Sequence, residues 1–115
     1  MAFVANLELT DGVARISLAG ELDASVTPRF RTLVEEAEQH RARRIVLLMN
    51  ELTYMSSAGI RELVFLKQKM GPHVDVYLVG TQELVLEAIT MTGVQHSVIL
   101  LDQYIPEQIE QREAA

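Results

Sequence analysis

The stretch Ile45-Val46-Leu47-Leu48-Met49-Asn50-Glu51-Leu52-Thr53-Tyr54-Met55-Ser56-Ser57-Ala58-Gly59-Ile60 decides the fold class. Its first five residues are wholly apolar. So short an apolar run, without alternation, suits a strand covered on both faces, as in a parallel sheet. After Met49 the polarity rises. The chain there reads as a turn that leaves the core and feeds two serines into a helix N-terminus. That helix is expected from about Ser57 to Met70. Ile60, Leu63 and Val64 form its inward stripe, widened by Phe65, Leu66 and Met70. Gly71-Pro72 stops it.

Upstream, Thr27-Pro28 opens another helix. Thr caps free backbone N–H groups, and Pro fits the first turn, where its missing N–H is not needed. Phe30, Leu33, Val34 and Ala37 give the apolar stripe. Arg41, Arg43 and Arg44 close the helix against its dipole. Further upstream, Phe3–Leu9 alternates in part, and Val13, Ile16 and Leu18 form a second apolar run. Asp11-Gly12 between them is a hairpin turn signal. Downstream, Val74, Val76, Leu78 and Val79 make a strand. Thr81 caps a third helix carrying Leu84, Val85, Ala88 and Ile89, which Gly93 ends. Val98 to Leu101 is a last short strand, and Gln103 to Ala115 reads as a weak C-terminal helix. The order is β-β-α-β-α-β-α-β-α. It predicts an α/β fold: a mixed sheet of four or five strands, an N-terminal hairpin and about four helices.

Composition narrows the function. The 115 residues predict one domain spanning 1–115, able to bury roughly two-thirds of the unfolded surface. Hydrophobic residues at 49% against 23% charged exclude a disordered chain. With no cysteine there is no thiol catalysis, disulfide framework or Cys-based metal site. Ten basic residues against sixteen acidic ones give a net charge of −6, which argues against a nucleic-acid partner. The longest apolar run is far short of a bilayer span, so no membrane insertion is expected. No signal-peptide pattern opens the chain, so a cytoplasmic location is expected.

Catalytic patterns fail one by one. His40, His73 and His96 lie at or near the ends of elements, none spaced with another ligand as a metal site needs. Ser56-Ser57 is not in a G-x-S-x-G elbow, and the six glycines build no phosphate loop. A response-regulator receiver needs a phospho-accepting Asp at the end of a central strand and an acidic pair after the first. Here the central strand ends Met49-Asn50-Glu51 and no acidic pair is present. No enzyme activity, cofactor or metal is expected.

Ser56-Ser57 has two readings. A hydroxyl at a helix start is a natural N-cap. It is also a place where a phosphate, adding about −1.5 to −2 charges, meets free N–H groups and the positive end of the helix dipole. Leu18-Ala19-Gly20-Glu21-Leu22-Asp23 closes the second strand. Gly20 marks a bulge or a close backbone approach there, and Asp23 suits a cap for the Ser25–Thr27 turn.

Taken in order, Gly20-Glu21-Leu22-Asp23, Ile45–Met49, Met55-Ser56-Ser57-Ala58-Gly59-Ile60 and Met91-Thr92-Gly93-Val94 resemble an STAS domain of the anti-sigma factor antagonist type. The resemblance covers nearly the whole chain. It implies a sheet packed by helices on one side and no intrinsic catalysis. It also implies phosphorylation of Ser56 by a partner that is both anti-sigma factor and serine-protein kinase, with a serine phosphatase as the reversing enzyme. The implied partner face holds Asp23, Tyr54, Met55, Ser56, Ser57, Ala58 and Gly59. Tyr54 and Met55 stand either as apolar anchors or as residues buried under the loop.

Two residues depart from the family pattern. Met55 stands where the family has Asp before the serines, and Asn50 where an Asp often closes the strand. Both remove negative charge beside Ser56. They strengthen a rival reading, a non-switching STAS scaffold subunit of a larger assembly such as a lipid-transport ATPase. A small-ligand-binding STAS sensor is the other alternative.

Overall fold

The computed structural model describes residues 2–109. β1 (Val4–Thr10) and β2 (Val13–Leu22) form the expected antiparallel hairpin. Its two-residue turn holds Asp11 at φ 52° and Gly12 at φ 80°, the left-handed pair whose twist matches that of the flanking strands. There follow α1 (Thr27–Gln39), β3 (Arg44–Met55), α2 (Ser57–Met70), β4 (Asp75–Val79), α3 (Glu83–Thr90), a 3-10 turn (Val94–Ser97), β5 (Ile99–Leu101) and α4 (Pro106–Ile109). The sheet has five strands in the order β1-β2-β3-β4-β5. All pairs after the hairpin are parallel. Of the segment expected as a C-terminal helix, only Pro106–Ile109 is helical among the described residues, and residues 110–115 lie outside them.

The main core lies on one face of the sheet. Ile16, Leu18, Ile45, Leu47, Met49, Val76 and Leu78 point into it from the strands. Phe30 and Val34 of α1, Leu63 and Leu66 of α2, and Val85 and Ile89 of α3 meet them there. The opposite face carries a smaller cluster of Val13, Val46, Tyr77 and Val79, with Leu48, Ile99, Leu101 and Tyr104 packed against it. The central strands are therefore covered on both faces, as the apolar run Ile45–Met49 requires, but the three longer helices share one side.

β3 does not end at Met49. It runs six residues further, because two residues are added to it relative to β2. From Leu48 to Glu51 it advances three positions against two of β2, and from Leu52 to Tyr54 two against one. The buried positions change spacing in step, from Ile45, Leu47 and Met49 to Leu52 and Met55. Such bulges break alternation and re-aim the strand end, and here they sit beside the serine pair.

Several local expectations are corrected. The N-cap position of α1 is Val26; Thr27 is already helical and its hydroxyl donates to the Ala24 carbonyl at 3.1 Å. The N-cap position of α3 is Gln82, and the Thr81 hydroxyl is buried without a partner. The arginines after α1 do not close its last turn. Arg41 turns into the left-handed region at φ 55°, and Arg44 is in β3. The N–H groups of Arg43 and Arg44 both donate to the Gly12 carbonyl, stitching the hairpin turn to the start of β3. Val64 and Leu84 face solvent. The position of Val64 on the inner face of α2 goes instead to Glu62, whose buried carboxylate pairs with the Arg31 guanidinium of α1.

Candidate functional site

Three segments converge at the carboxyl ends of β2 and β3. Leu22 lies opposite Met55 and Glu21 opposite Tyr54 in the strand register. The Ser56 N–H donates to the Leu22 carbonyl at 2.9 Å, so the chain is held to the end of β2 at the moment it turns into α2. The Thr53 hydroxyl adds a second tie, donating to the Gly20 carbonyl at 3.0 Å.

Ser56 is the N-cap of α2. Its backbone is extended, and its hydroxyl oxygen accepts from the Gly59 N–H at 3.2 Å. The Ile60 N–H bonds to the Ser56 carbonyl at 2.9 Å. The N–H groups of Ser57 and Ala58, at the first two helical positions, have no acceptor one turn back within the helix. Ser56 is half-buried, Ser57 exposed and Ala58 half-buried. Gly59 is buried, and a Cβ there would lie 3.0 Å from the Leu22 carbonyl oxygen, the Leu22 side chain and the Met55 side chain. Its smallness thus lets α2 start directly against the two strand ends. Gly59 and Met55 act from inside: Met55 is 4% exposed and belongs to the core, while Tyr54, at 49%, points outward. Of the two apolar anchors considered from sequence, Met55 is the buried one and Tyr54 the exposed one.

Asp23 begins the loop after β2. Its carboxylate accepts from the Ser25 N–H at 2.9 Å and from the Ser25 hydroxyl at 2.6 Å. The Ser25 hydroxyl, chiefly, against the opposing effect of desolvation and with lesser help from the Ser25 and Val26 N–H groups, holds this carboxyl below its ordinary value of 3.8. It makes no hydrogen bond to Ser56; it shapes the loop that stands beside that serine. A carboxyl lowered on folding steadies its loop at every pH above its ordinary value. That contribution disappears as pH falls through the lowered value. The loop is therefore expected to loosen only below about pH 4, followed by the Ser25 amide resonance in an acid titration. Asp23→Ala is expected to keep the melting midpoint within about 5 °C, since a surface loop cap carries little of the global stability. If the Ser56 face binds a partner, as the resemblance implies, that binding should fall clearly in the same protein. Unfolding without loss of binding after refolding would make Asp23 purely structural.

Two residues outside the expected partner face also build the site: Leu22, whose carbonyl receives the Ser56 N–H, and Thr53, which bridges back to Gly20. Gly20 itself takes φ 89° beside the Ala2 carbonyl, the close backbone approach its position suggests. The Met91–Val94 segment forms the turn after α3: the Thr92 hydroxyl donates to the Ile89 carbonyl at 2.7 Å and Gly93 takes φ 80°. Among the described residues no group of three acidic or imidazole side chains is placed to hold a metal. No helix among them is long and apolar enough to cross a membrane.

A mixed five-stranded sheet with its longer helices on one side, and a capping serine where the third strand meets the second helix, define the class. The chain belongs to the STAS domain family, whose model matches residues 5–111. No curated protein sequence matches the chain. Among solved structures, it resembles an anti-sigma factor antagonist from Mycobacterium paratuberculosis, with a TM-score of 0.81 at 20% identity over 89% of this chain and 87% of that one. The anti-sigma factor antagonist SpoIIAA in its unphosphorylated form gives 0.65 at 20% identity over 93% of each chain. The phosphorylated form of SpoIIAA, described as a Bacillus cell fate determinant, gives 0.69 at 18% identity over 91% of this chain and 95% of that one.

Proposed function

We propose that this chain is an anti-sigma factor antagonist that switches partners through Ser56. The observation that carries the reading is the placement of Ser56 as the N-cap of α2, bonded through its backbone to the end of β2. The hydroxyl sits where free N–H groups and the helix dipole favour an added phosphate. The same few residues join two strand ends and a helix start, so charge added there changes a surface without dismantling the core. That structural neighbours are anti-sigma factor antagonists, one of them solved phosphorylated, supports the reading.

In this mechanism the unphosphorylated chain binds an anti-sigma factor in the cytoplasm, and the sigma factor that partner held is released. The partner, itself a serine-protein kinase, transfers a phosphate to Ser56 and the complex dissociates. A serine phosphatase hydrolyses the phosphate and restores binding. The chain performs no catalysis of its own; Tyr54, Ser56, Ser57 and the Asp23 loop supply the contact face.

The replacement of the family's carboxylates by Met55 and Asn50 favours a second reading, a constitutive scaffold subunit. Met55 fills a core position, and the Asn50 carbonyl receives the Gln82 amide at 2.8 Å. Incubation with the kinase-type partner and ATP separates the two. Switching predicts one phosphate, mapped to Ser56 by mass spectrometry and absent in Ser56→Ala. A stable complex with no phosphate transferred, or a phosphate on Ser57 alone, gives the scaffold reading precedence.

A further inference from the structure

At the pole of the domain away from Ser56, the turns after α1 and α2 line a shallow, open cleft of about 400 Å³. Arg41, Arg43, Lys69 and His73 stand around it, and Ala42, Met70 and Val74 form an apolar floor. One carboxylate, Glu38, also lines it and is paired with Lys69 at 3.3 Å, and the Arg43 guanidinium donates to the Asp11 carbonyl at 3.1 Å, which leaves Arg41, among the described residues, as the unengaged permanent cation of the cleft. This concentration of positive charge occurs in a chain whose net charge is −6. Among the described residues, no hydrogen bond or ion pair engages the side chains of Arg41 and His73.

Helix termini account for part of the pattern. Lys67 and Lys69 lie in the last turn of α2, where cations complement the dipole. They do not account for Arg41, which occupies a left-handed position at φ 55° where glycine or asparagine is the favoured residue. Arginine is held there at a backbone cost, with its guanidinium unspent.

We infer that this cleft docks an acidic segment of a protein partner, one with an apolar side chain between its carboxylates. Two observations choose that occupant. The backbone N–H groups of the turn are already used: Arg41 donates to the Glu38 carbonyl, and Arg43 and Arg44 to that of Gly12. The turn therefore offers no cradle of amides for a lone phosphate, only cations on long side chains spread around an apolar recess. A flat anionic membrane would meet the rim and leave the floor of Met70 and Val74 uncovered, whereas a side chain on a peptide reaches it. The 14 residues of α2 separate the cleft from Ser56 by about 20 Å, so both partners can bind together.

The test uses the full chain and a fluorescein-labelled peptide of glutamates around a central leucine, with a glutamine version as control. Anisotropy at low salt should show saturable binding of the glutamate peptide alone, and backbone amide shifts should fall in residues 40–43 and 69–74. Arg41→Gly should weaken binding about fivefold, the scale of one partly exposed ion pair, and Arg41→Glu further. The melting temperature of Arg41→Gly should stay level or rise, because glycine takes the left-handed position without penalty. That combination separates a binding role from a structural one. No saturable binding, or shifts mapped elsewhere, overturns the inference. So does equal competition by inorganic phosphate, preference for phosphatidylglycerol vesicles over the peptide, or self-association through the cleft.

Discussion

On the proposed function, Ser56→Asp is expected to bind the anti-sigma partner about two to three orders of magnitude more weakly than the parent chain, while melting within about 5 °C of it. Aspartate caps a helix about as well as serine, so the local structure of α2 survives the change. The new carboxylate also lies at the positive end of the helix dipole, which favours it by about 0.3–1 kcal/mol. In the free domain, then, the charge is well placed. The proposed switch requires that in a complex the same group be pressed into a contact with no cation to meet it. An unpaired charge of that kind costs about 3–5 kcal/mol, and each 1.4 kcal/mol is about a factor of ten in affinity. Ser56→Ala loses the hydroxyl bonded to the Gly59 N–H and about 1 kcal/mol of stability, yet should bind constitutively. Titration calorimetry of both variants against the partner reads the difference. A Ser56→Asp protein that binds as tightly as its parent would remove the switch.

The largest effect on the fold itself is expected at Gly20. Gly20→Ala should destabilise the domain by about 2–4 kcal/mol and lower the melting temperature by about 10 °C. Two independent causes add. The position takes φ 89°, which a residue with a Cβ adopts at a cost. The added methyl would also lie 2.4 Å from the Ala2 carbonyl oxygen, and that neighbour is backbone rather than the tip of a flexible side chain. The chain before β1 must move, along with the bond from the Arg29 guanidinium to the Phe3 carbonyl at 3.1 Å. Because the Gly20 carbonyl also receives Thr53, the disturbance should reach the strand end beside Ser56. Thermal unfolding by circular dichroism measures the first effect. A variant as stable as the parent would show that the close approach relaxes freely.

The parts of this architecture that were legible in sequence are those written in local chemistry. Asp11-Gly12 names its own turn, Gly71-Pro72 its own stop, and Ile45–Met49 can hardly be anything but a covered strand. The continuation of β3 through Asn50–Met55 was not legible, because the two added residues move the buried positions from every second to every third. A period of three without a helix looks like a loop. The caps at Val26 and Gln82 were hidden for a different reason: each carries no side-chain cap, and the neighbouring Thr27 and Thr81 offered the better signal. Val64 and Leu84 read as inward because they are apolar at helical spacing. The rotation of each helix is set by its partners, and on α2 the place went to a carboxylate paired across to Arg31. At the site, Ser56 as a cap could be read directly. Which of Tyr54 and Met55 faces out could not, since it depends on the count of added residues upstream.

The order of strands across the sheet is also their order along the chain. During synthesis each strand therefore emerges to find the strand made before it already waiting as an open edge. None has to be wedged between two older neighbours. The hairpin is complete before the ribosome releases Ile45–Met49, so this most apolar segment meets a template on arrival and spends little time free to pair with another nascent chain. Among the described residues the last strand to join is β5, only three residues long, which leaves that edge too short to invite a stranger.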